Sequence, residues 1–176
     1  MIMYIYLFFI LLVIDIVILI VFGPRLIKTV KLKKDKLNTY AIQNNATGKC
    51  IRPYNASFKE DEKVILFTHH NWECMTWQMI NIEKDIFLLK NLYSQKTFEP
   101  VSSPQTGVSM HQKTLQSNTN QYWQFIASDE NYLIKLKDYD LYLTAQNSDE
   151  NANIILNELT NENNQKWKLI EQQPIM

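Results

Sequence analysis

One short segment carries several side chains of the types that bind metal ions. The string from His69 to Cys74 holds two adjacent histidines, a glutamate and a cysteine. A structural zinc site needs about four ligands, which usually come from two separately spaced pairs. The remaining histidine, His111, lies far along the chain, and no second cluster accompanies it. We therefore expect a loop whose histidines are solvated or cap backbone groups, with no metal and no other cofactor.

The sequence lacks the motifs of the common catalytic sites. It has no glycine-rich phosphate-binding loop, no Gly-x-Ser-x-Gly, no His-x-x-x-His and no Cys-x-x-Cys. Paired acids such as Asp61-Glu62 and Asp149-Glu150 fall in polar stretches, where a solvated surface explains them better than acid–base chemistry. The sequence therefore predicts a binding protein and not an enzyme.

The element that precedes these residues is a long apolar segment. Residues 1–22 are apolar apart from Asp15, and as a helix they would extend about 33 Å, enough to cross a bilayer core. We expect a single-pass membrane anchor over residues 1–23, with Asp15 facing a partner helix in the membrane. The alternative is a secretory signal cleaved near Gly23, which the missing basic start and the following Pro24 disfavour.

A basic linker over residues 24–37 follows the apolar segment. Within this linker, Arg25 and five lysines outweigh Asp35 by five charges. The whole chain is neutral and Asp15 adds one negative charge before the linker, so the domain that follows has a net charge of −4. An acidic domain disfavours nucleic acid and other polyanions as partners. By the positive-inside rule, this linker would hold the domain in the cytoplasm.

Other features favour the extracytoplasmic side. Asn45-Ala46-Thr47 and Asn55-Ala56-Ser57 are acceptor sequences for N-glycosylation. The two cysteines, Cys50 and Cys74, could form one disulfide in an oxidising compartment. We expect an extracytoplasmic domain, and the alternatives are a cytoplasmic domain and secretion after signal cleavage.

Three tryptophans mark an internal repeat in the remaining chain. Trp77, Trp123 and Trp167 are 46 and 44 residues apart, and Gln121 and Gln165 give the second and third a Gln-x-Trp motif. Short apolar runs divided by turn residues precede each tryptophan, which predicts strands and not helices. The predicted strands include residues 40–42, 50–51 and 64–66 in the first repeat, 87–89, 97–98 and 108–110 in the second, and 132–134, 142–143 and 154–156 in the third.

Three such repeats, at about 38–80, 81–126 and 127–171, give twelve strands in a domain over residues 38–173. A barrel capped by hairpins around a pseudo-threefold axis fits that number, because it buries each tryptophan and removes exposed sheet edges. The expected fold is therefore all-β, a β-trefoil. In that fold the tryptophans belong to the core, and the glutamines of Gln-x-Trp bond loop backbone.

The pattern resembles the ricin B-type lectin family of β-trefoils over about residues 38–172. Besides the Gln-x-Trp copies, Gly48-Lys49-Cys50-Ile51 is similar to the family's Gly-x-Cys-hydrophobic strand. The chain departs from the family at Met75, which replaces the first glutamine. It also departs at Cys74, five residues beyond the position of the family's disulfide partner, which His69 holds. The resemblance therefore leaves the Cys50–Cys74 disulfide open.

The resemblance also implies sugar sites that combine an acid, an aromatic residue and an asparagine. The polar groups bind sugar hydroxyls, and the aromatic face packs against the C–H groups of the sugar ring. The second repeat has Glu99, His111 and Asn120 at these positions and is the expected carbohydrate site. The first repeat has Arg52, Phe67 and Cys74, so we expect its site to be lost. The third has Thr144, Asn157 and Asn164, which are polar but include neither an acid nor an aromatic residue, so we expect its site to be silent or altered.

These expectations together describe a membrane-anchored, non-catalytic, ricin-type lectin-like module that binds a carbohydrate or glycoprotein. The alternative is a β-trefoil that has lost sugar binding and serves as a protein-interaction subunit of a surface or envelope complex. A trefoil of the growth-factor or actin-bundling type is disfavoured, because those relatives lack Gln-x-Trp and their partners prefer a basic surface.

Overall fold

The computed structural model describes residues 38–173, so the predicted membrane anchor, the basic linker and Asp15 lie outside the described residues. Twelve strands follow one another in this part of the chain, with four single-turn 3-10 helices between them. The strands are β1 (Thr39–Asn44), β2 (Cys50–Pro53), β3 (Val64–Phe67), β4 (Trp77–Glu83), β5 (Ile86–Asn91), β6 (Thr97–Pro100), β7 (Met110–Lys113), β8 (Tyr122–Ser128), β9 (Asn131–Leu136), β10 (Tyr142–Ala145), β11 (Ile154–Asn157) and β12 (Lys166–Glu171). The 3-10 helices are Tyr54–Ala56, Glu73–Met75, Thr119–Gln121 and Asn163–Gln165.

None of the helices between residues 38 and 173 has the length and apolar character needed to cross a membrane.

Six of the strands form a closed antiparallel barrel. β1 pairs with β12 and β4, β5 pairs with β4 and β8, and β9 pairs with β8 and β12. Each of the six therefore has a partner on both sides, which removes the exposed edges that an open sheet would leave. The other six strands form three hairpins, β2–β3, β6–β7 and β10–β11, one in each repeat. This is the predicted all-β trefoil architecture.

Equivalent backbone hydrogen bonds join the three hairpins to one another. The central residues of these joints, Leu66, Gln112 and Leu156, have the same 46- and 44-residue spacing as the tryptophans. Each accepts a bond from a residue in the left-handed region, with φ of 60° at Asp61, 87° at Gly107 and 65° at Asn151. Leu66 accepts from Asn151 at 2.9 Å and donates to Ala152 at 2.9 Å. Gln112 accepts from Asp61 at 3.0 Å and donates to Glu62 at 2.7 Å. Leu156 accepts from Gly107 at 2.8 Å and donates to Val108 at 2.9 Å.

The three tryptophans lie fully buried in the main hydrophobic core. Phe98 packs against two of them, with ring centroids 5.2 Å from Trp77 and 4.9 Å from Trp123. The indole N–H of Trp77 donates to the carbonyl oxygen of Ile51 at 3.0 Å, and that of Trp167 donates to Leu143 at 2.9 Å. These two indoles connect β4 to β2 and β12 to β10, whereas the buried indole N–H of Trp123 has no hydrogen-bond partner in the described part of the chain.

One predicted strand begins later than the sequence suggested. We expected residues 108–110, but β7 begins at Met110. The Val108 N–H donates to the Gln105 carbonyl oxygen at 3.2 Å in a turn, and the Val108 carbonyl oxygen accepts from Leu156 of the third repeat. Ser109 likewise bridges to β11. The prediction was wrong at this edge because these backbone groups bond the neighbouring hairpin.

Candidate carbohydrate site

The three candidate side chains of the second repeat line one open cleft of about 640 Å³. Glu99 and His111 are direct cross-strand partners on β6 and β7. Asn120 lies in the 3-10 helix that precedes β8. The hairpin and this short helix therefore bring together residues that are as much as 21 positions apart in sequence. The cleft is also lined by residues 100–104 and by Asp61, Lys113 and Tyr139.

Glu99 is held by the glutamine of the Gln-x-Trp motif. Gln121 Nε2 donates to Glu99 Oε2 at 2.8 Å and to the Thr114 carbonyl oxygen at 3.1 Å, and Gln121 Oε1 accepts from the Gln116 N–H at 2.8 Å. Gln121 is fully buried. One carboxylate oxygen of Glu99 is therefore fixed by the protein, while Oε1 accepts no hydrogen bond from residues 38–173.

His111 lies between two carboxylates. Its Nδ1 is 3.1 Å from Asp61 Oδ1, and its Nε2 is 3.7 Å from Glu99 Oε1. The Nε2 atom is buried and has no hydrogen-bond partner in the described part of the chain. Since both ring nitrogens face carboxylates and the side chain is 11% exposed, the imidazole offers little of its face to the cleft.

The backbone of Asn120 is fixed by a capping interaction. The Asn120 N–H donates to the side-chain oxygen of Asn118, the N-cap residue of the short helix, at 3.0 Å. The side-chain amide of Asn120 makes none of the hydrogen bonds found among residues 38–173. It is therefore a donor and acceptor that a ligand in the cleft can use.

The charges in the cleft are mixed, with an excess of acid. Lys113 Nζ binds Asp61 Oδ1 at 2.6 Å, and this hydrogen bond raises the pKa of Lys113. The ammonium is therefore charged at neutral pH. Two carboxylates, Asp61 and Glu99, stand against this one fixed cation, which disfavours an anionic ligand.

Asp61 and Tyr139 belong to the first and third repeats, and sequence reasoning missed both. Asp61 is exposed, as expected for a solvated loop, and the joint between the hairpins also places its carboxylate against His111. The spacing of Asp61, Gly107 and Asn151 could have indicated this position, because it equals the spacing of the tryptophans. Tyr139 lies between β9 and β10, and no sequence pattern that we found pointed to it.

In the first repeat, the equivalent positions are filled by the protein itself. The Arg52 guanidinium carbon lies 3.6 Å from the centroid of the Phe67 ring and covers that aromatic face. Arg52 is buried. Met75, which replaces the glutamine, accepts the His70 N–H on its sulfur at 3.3 Å.

In the third repeat, the hydroxyl at the acid position is used internally. Thr144 Oγ1 donates to the Tyr142 carbonyl oxygen at 2.9 Å and accepts from Gln165 Nε2 at 3.1 Å. Gln165 Nε2 also donates to the Glu158 carbonyl oxygen at 2.7 Å. A buried hydroxyl with both partners inside the protein leaves little for a ligand.

The string from His69 to Cys74 forms a loop and the 3-10 helix Glu73–Met75. His70 stacks on Trp72 with ring centroids 4.1 Å apart and an interplanar angle of 14°. Among residues 38–173, no three or more histidine, cysteine, aspartate or glutamate side chains are arranged to hold a metal ion.

Cys50 and Cys74 are two separate buried thiols. They belong to the same small core cluster, together with Ala41 and Met75. Burial raises the pKa of Cys50 to about 12 and raises the pKa of Cys74 as well. The disulfide stays a prediction. The two glycosylation candidates, Asn45 and Asn55, are both exposed.

The barrel, its three hairpins and the cleft in one repeat define a β-trefoil domain with a candidate ligand site. The chain belongs to the family of ricin-type β-trefoil lectin domains, whose model matches residues 38–175. A comparison with curated proteins gives no match.

Solved structures with the same fold cover most of the described domain. A designed threefold-symmetric protein, ThreeFoil, matches with a TM-score of 0.73 and 21% identity, over 76% of this chain and 98% of that one. The Rhizoctonia solani agglutinin matches with a TM-score of 0.70 and 20% identity, over 77% and 95% of the two chains. The Macrolepiota procera ricin B-like lectin, solved in complex with lactose, matches with a TM-score of 0.66 and 15% identity, over 76% and 94%. At these identities the similarity shows the fold.

Proposed function

We propose that the domain is a non-catalytic carbohydrate-binding module that binds a neutral sugar in the cleft of the second repeat. The observation that carries this proposal is the hydrogen bond from Gln121 to Glu99, which fixes the carboxylate and leaves its Oε1 available. Membership of the ricin-type lectin family and the lactose complex of the Macrolepiota procera lectin support the choice of ligand class.

The polar groups of the cleft complement the hydroxyls of a sugar. Glu99 Oε1 accepts a hydrogen bond, and the Asn120 amide both donates and accepts. Because the carboxylates outnumber the fixed cation, a neutral sugar fits better than a sialylated or sulfated one. One open cleft binds weakly, so the apparent affinity would rise if several copies were clustered on a surface.

The test is glycan binding by the full-length chain, first on an array and then by calorimetry with the sugar that is retained. Glu99→Gln should weaken binding by about tenfold or more, since a lost hydrogen bond to a charged group costs about 1.5–3 kcal/mol, and Asn120→Ala by about fivefold, since a neutral one costs about 1 kcal/mol. Asn164→Ala, the matched change in the third repeat, should leave binding unchanged. Equal effects at Asn120 and Asn164, or none at Glu99, would reject this cleft as the site.

A second candidate function is a protein-interaction subunit that no longer binds sugar. The observation that favours it is a set of exposed aromatic side chains outside the cleft. Trp72 is exposed beside His70, and the rings of Phe58 and Tyr93 contact each other at the surface with centroids 4.3 Å apart and an interplanar angle of 30°. This function would be favoured over sugar binding if the protein bound no glycan on the array and if Trp72→Ala abolished the copurification of a partner protein.

We also propose that residues 1–23 anchor the chain in a membrane and that the domain is extracytoplasmic. The apolar sequence of that segment supports the anchor, and a partner helix could contact Asp15 there. The exposure of Asn45 and Asn55 in the folded domain supports the orientation, because a glycosylation enzyme must reach its acceptor. Protease protection in sealed vesicles, with a mobility shift on deglycosylation that Asn45→Gln and Asn55→Gln abolish, tests both parts. In sealed microsomes, digestion of the domain by added protease, together with the absence of a glycan, would place the domain in the cytoplasm.

A further inference from the structure

The cleft of the second repeat contains an aromatic residue from a different repeat. A sugar site needs an apolar face for the C–H groups of the ring as well as polar groups for the hydroxyls. His111 holds the aromatic position within the second repeat, but its two nitrogens face Asp61 and Glu99 and its side chain is 11% exposed. Another residue must therefore supply the face.

Tyr139 has the position and the exposure for that role. It lines the same cleft as Glu99 and Asn120, and it is 37% exposed. A phenol ring combines an apolar face with a polar tip that tolerates water. Among the aromatic residues of 38–173, His111 and Tyr139 alone line this cleft.

The turn that carries Tyr139 is held on several sides. The Tyr139 N–H donates to the Leu136 carbonyl oxygen at 3.2 Å, and the Leu136 N–H donates to Leu141 at 2.9 Å across the base of the turn. Two residues before Tyr139, the Lys137 N–H donates to the Tyr122 carbonyl oxygen at 2.9 Å, and Lys137 Nζ pairs with Glu83 Oε1 at 2.5 Å. A ring on a fixed turn loses less conformational freedom when it packs against a ligand.

We propose that Tyr139 of the third repeat is the stacking residue of the second-repeat cleft, so that the sugar is bound between two repeats. This inference rests on the proposed function. The ligand it implies is a neutral pyranose that presents an apolar C–H face to Tyr139 while its hydroxyls reach Glu99 and Asn120. Neither the second nor the third repeat can supply such a site alone, because the polar groups come from the second repeat and the ring from the third.

The experiment compares Tyr139→Ala and Tyr139→Phe in the full-length chain, with the sugar identified by the glycan array. Tyr139→Ala should weaken binding by about three- to tenfold, as the loss of an aromatic contact predicts, and Tyr139→Phe should stay within about twofold. Tyr93→Ala is the matched control, since Tyr93 is 38% exposed in the corresponding turn of the second repeat and does not line the cleft.

A second readout separates stacking from a structural effect. A sugar proton above an aromatic ring shifts upfield in the NMR spectrum, so the C–H protons of the bound sugar should show this shift with wild type and Tyr139→Phe and lose it with Tyr139→Ala. Unchanged affinity and an unchanged proton shift in Tyr139→Ala would overturn the role of Tyr139 while the proposed function stands. Failure of the wild type to bind any sugar would overturn both.

Discussion

Glu99 and Gln121 are joined by a hydrogen bond of 2.8 Å from the glutamine Nε2 to the carboxylate Oε2. Gln121 stands two positions before Trp123, which is fully buried in the core. The glutamine also closes its own loop through Thr114 and Gln116. The motif that fixes the fold of the second repeat therefore also orients the acid of its cleft. In the third repeat, Gln165 makes the equivalent contact to the Thr144 hydroxyl.

Replacing these two glutamines should separate stability from binding. Gln121→Ala and Gln165→Ala should each lower the free energy of unfolding by about 1–3 kcal/mol, because buried loop groups lose their partners. Gln121→Ala alone should also weaken sugar binding, since Glu99 is then free to turn. Urea unfolding and calorimetry measure the two effects. Equal losses of affinity in both variants would show that the acid does not depend on Gln121.

The tryptophan spacing predicted the fold because trefoil repeats bury the same residue at the same position. Trp77, Trp123 and Trp167 are fully buried, and the strands before them lie close to the predicted ranges. The bond from Gln121 to loop backbone followed from the same reasoning. Its bond to Glu99 did not, because it depends on how the β6–β7 hairpin lies over the loop, and the two residues are 22 positions apart.

The parts of the cleft that come from other repeats could not be predicted from the pattern within one repeat. Asp61 reaches His111 because the hairpins of the first and second repeats bond through Gln112. Tyr139 reaches the cleft from the turn after β9. Both positions depend on the packing around the threefold axis, and local sequence does not specify that packing.

The Glu60 carboxylate should make the stability of the domain depend on acid pH. It accepts hydrogen bonds from Lys96 Nζ and from the Thr114 hydroxyl, the latter at 2.6 Å. These bonds lower the pKa of Glu60 to about 2, and the bond from Lys96 has the larger effect. The unfolded value is about 4.3, so the stabilisation is complete above that pH and is lost as the pH falls toward 2.

Glu60→Gln should therefore have a lower melting temperature than wild type at pH 7, and the difference should shrink steadily between pH 5 and pH 2. Circular dichroism at several pH values measures it, and added salt should reduce it because the pair is exposed. Glu62→Gln is the control for a neighbouring acid. A difference that persists unchanged at pH 2 would contradict the role of the Glu60 charge.

The two cysteine thiols should react slowly in the folded protein. Burial raises the pKa of Cys50 to about 12, and the thiolate is the reactive form. With reduced protein at pH 8, a thiol reagent should label neither cysteine in the time that labels both in urea. Fast labelling of the native protein would contradict the burial of the thiols. If an unreduced sample in urea still shows no free thiol, the Cys50–Cys74 disulfide has formed.

The most informative single change in the domain is Gln112→Leu, because the other two repeats have Leu66 and Leu156 at this buried position. Gln112 Nε2 donates to the carbonyl oxygens of Ser57 and Lys59 at 2.8 and 2.6 Å. These bonds hold the loop that carries Asp61 against the cleft. The glutamine Oε1, in contrast, is buried without a hydrogen-bond partner in the described part of the chain.

Leucine would remove both the two loop bonds and the unpaired buried oxygen, so the opposing effects should keep the stability change within about 1 kcal/mol. The loop over residues 57–62 should nevertheless loosen. We expect faster amide hydrogen exchange around Ser57 and Lys59. Sugar binding should change little, because the backbone bonds of position 112 to Asp61 and Glu62 do not depend on its side chain. Gln124→Leu, which removes a bond to Asp85 away from the cleft, should change neither. Unchanged exchange in the loop of Gln112→Leu would show that other contacts, such as those of Glu60, hold it in place.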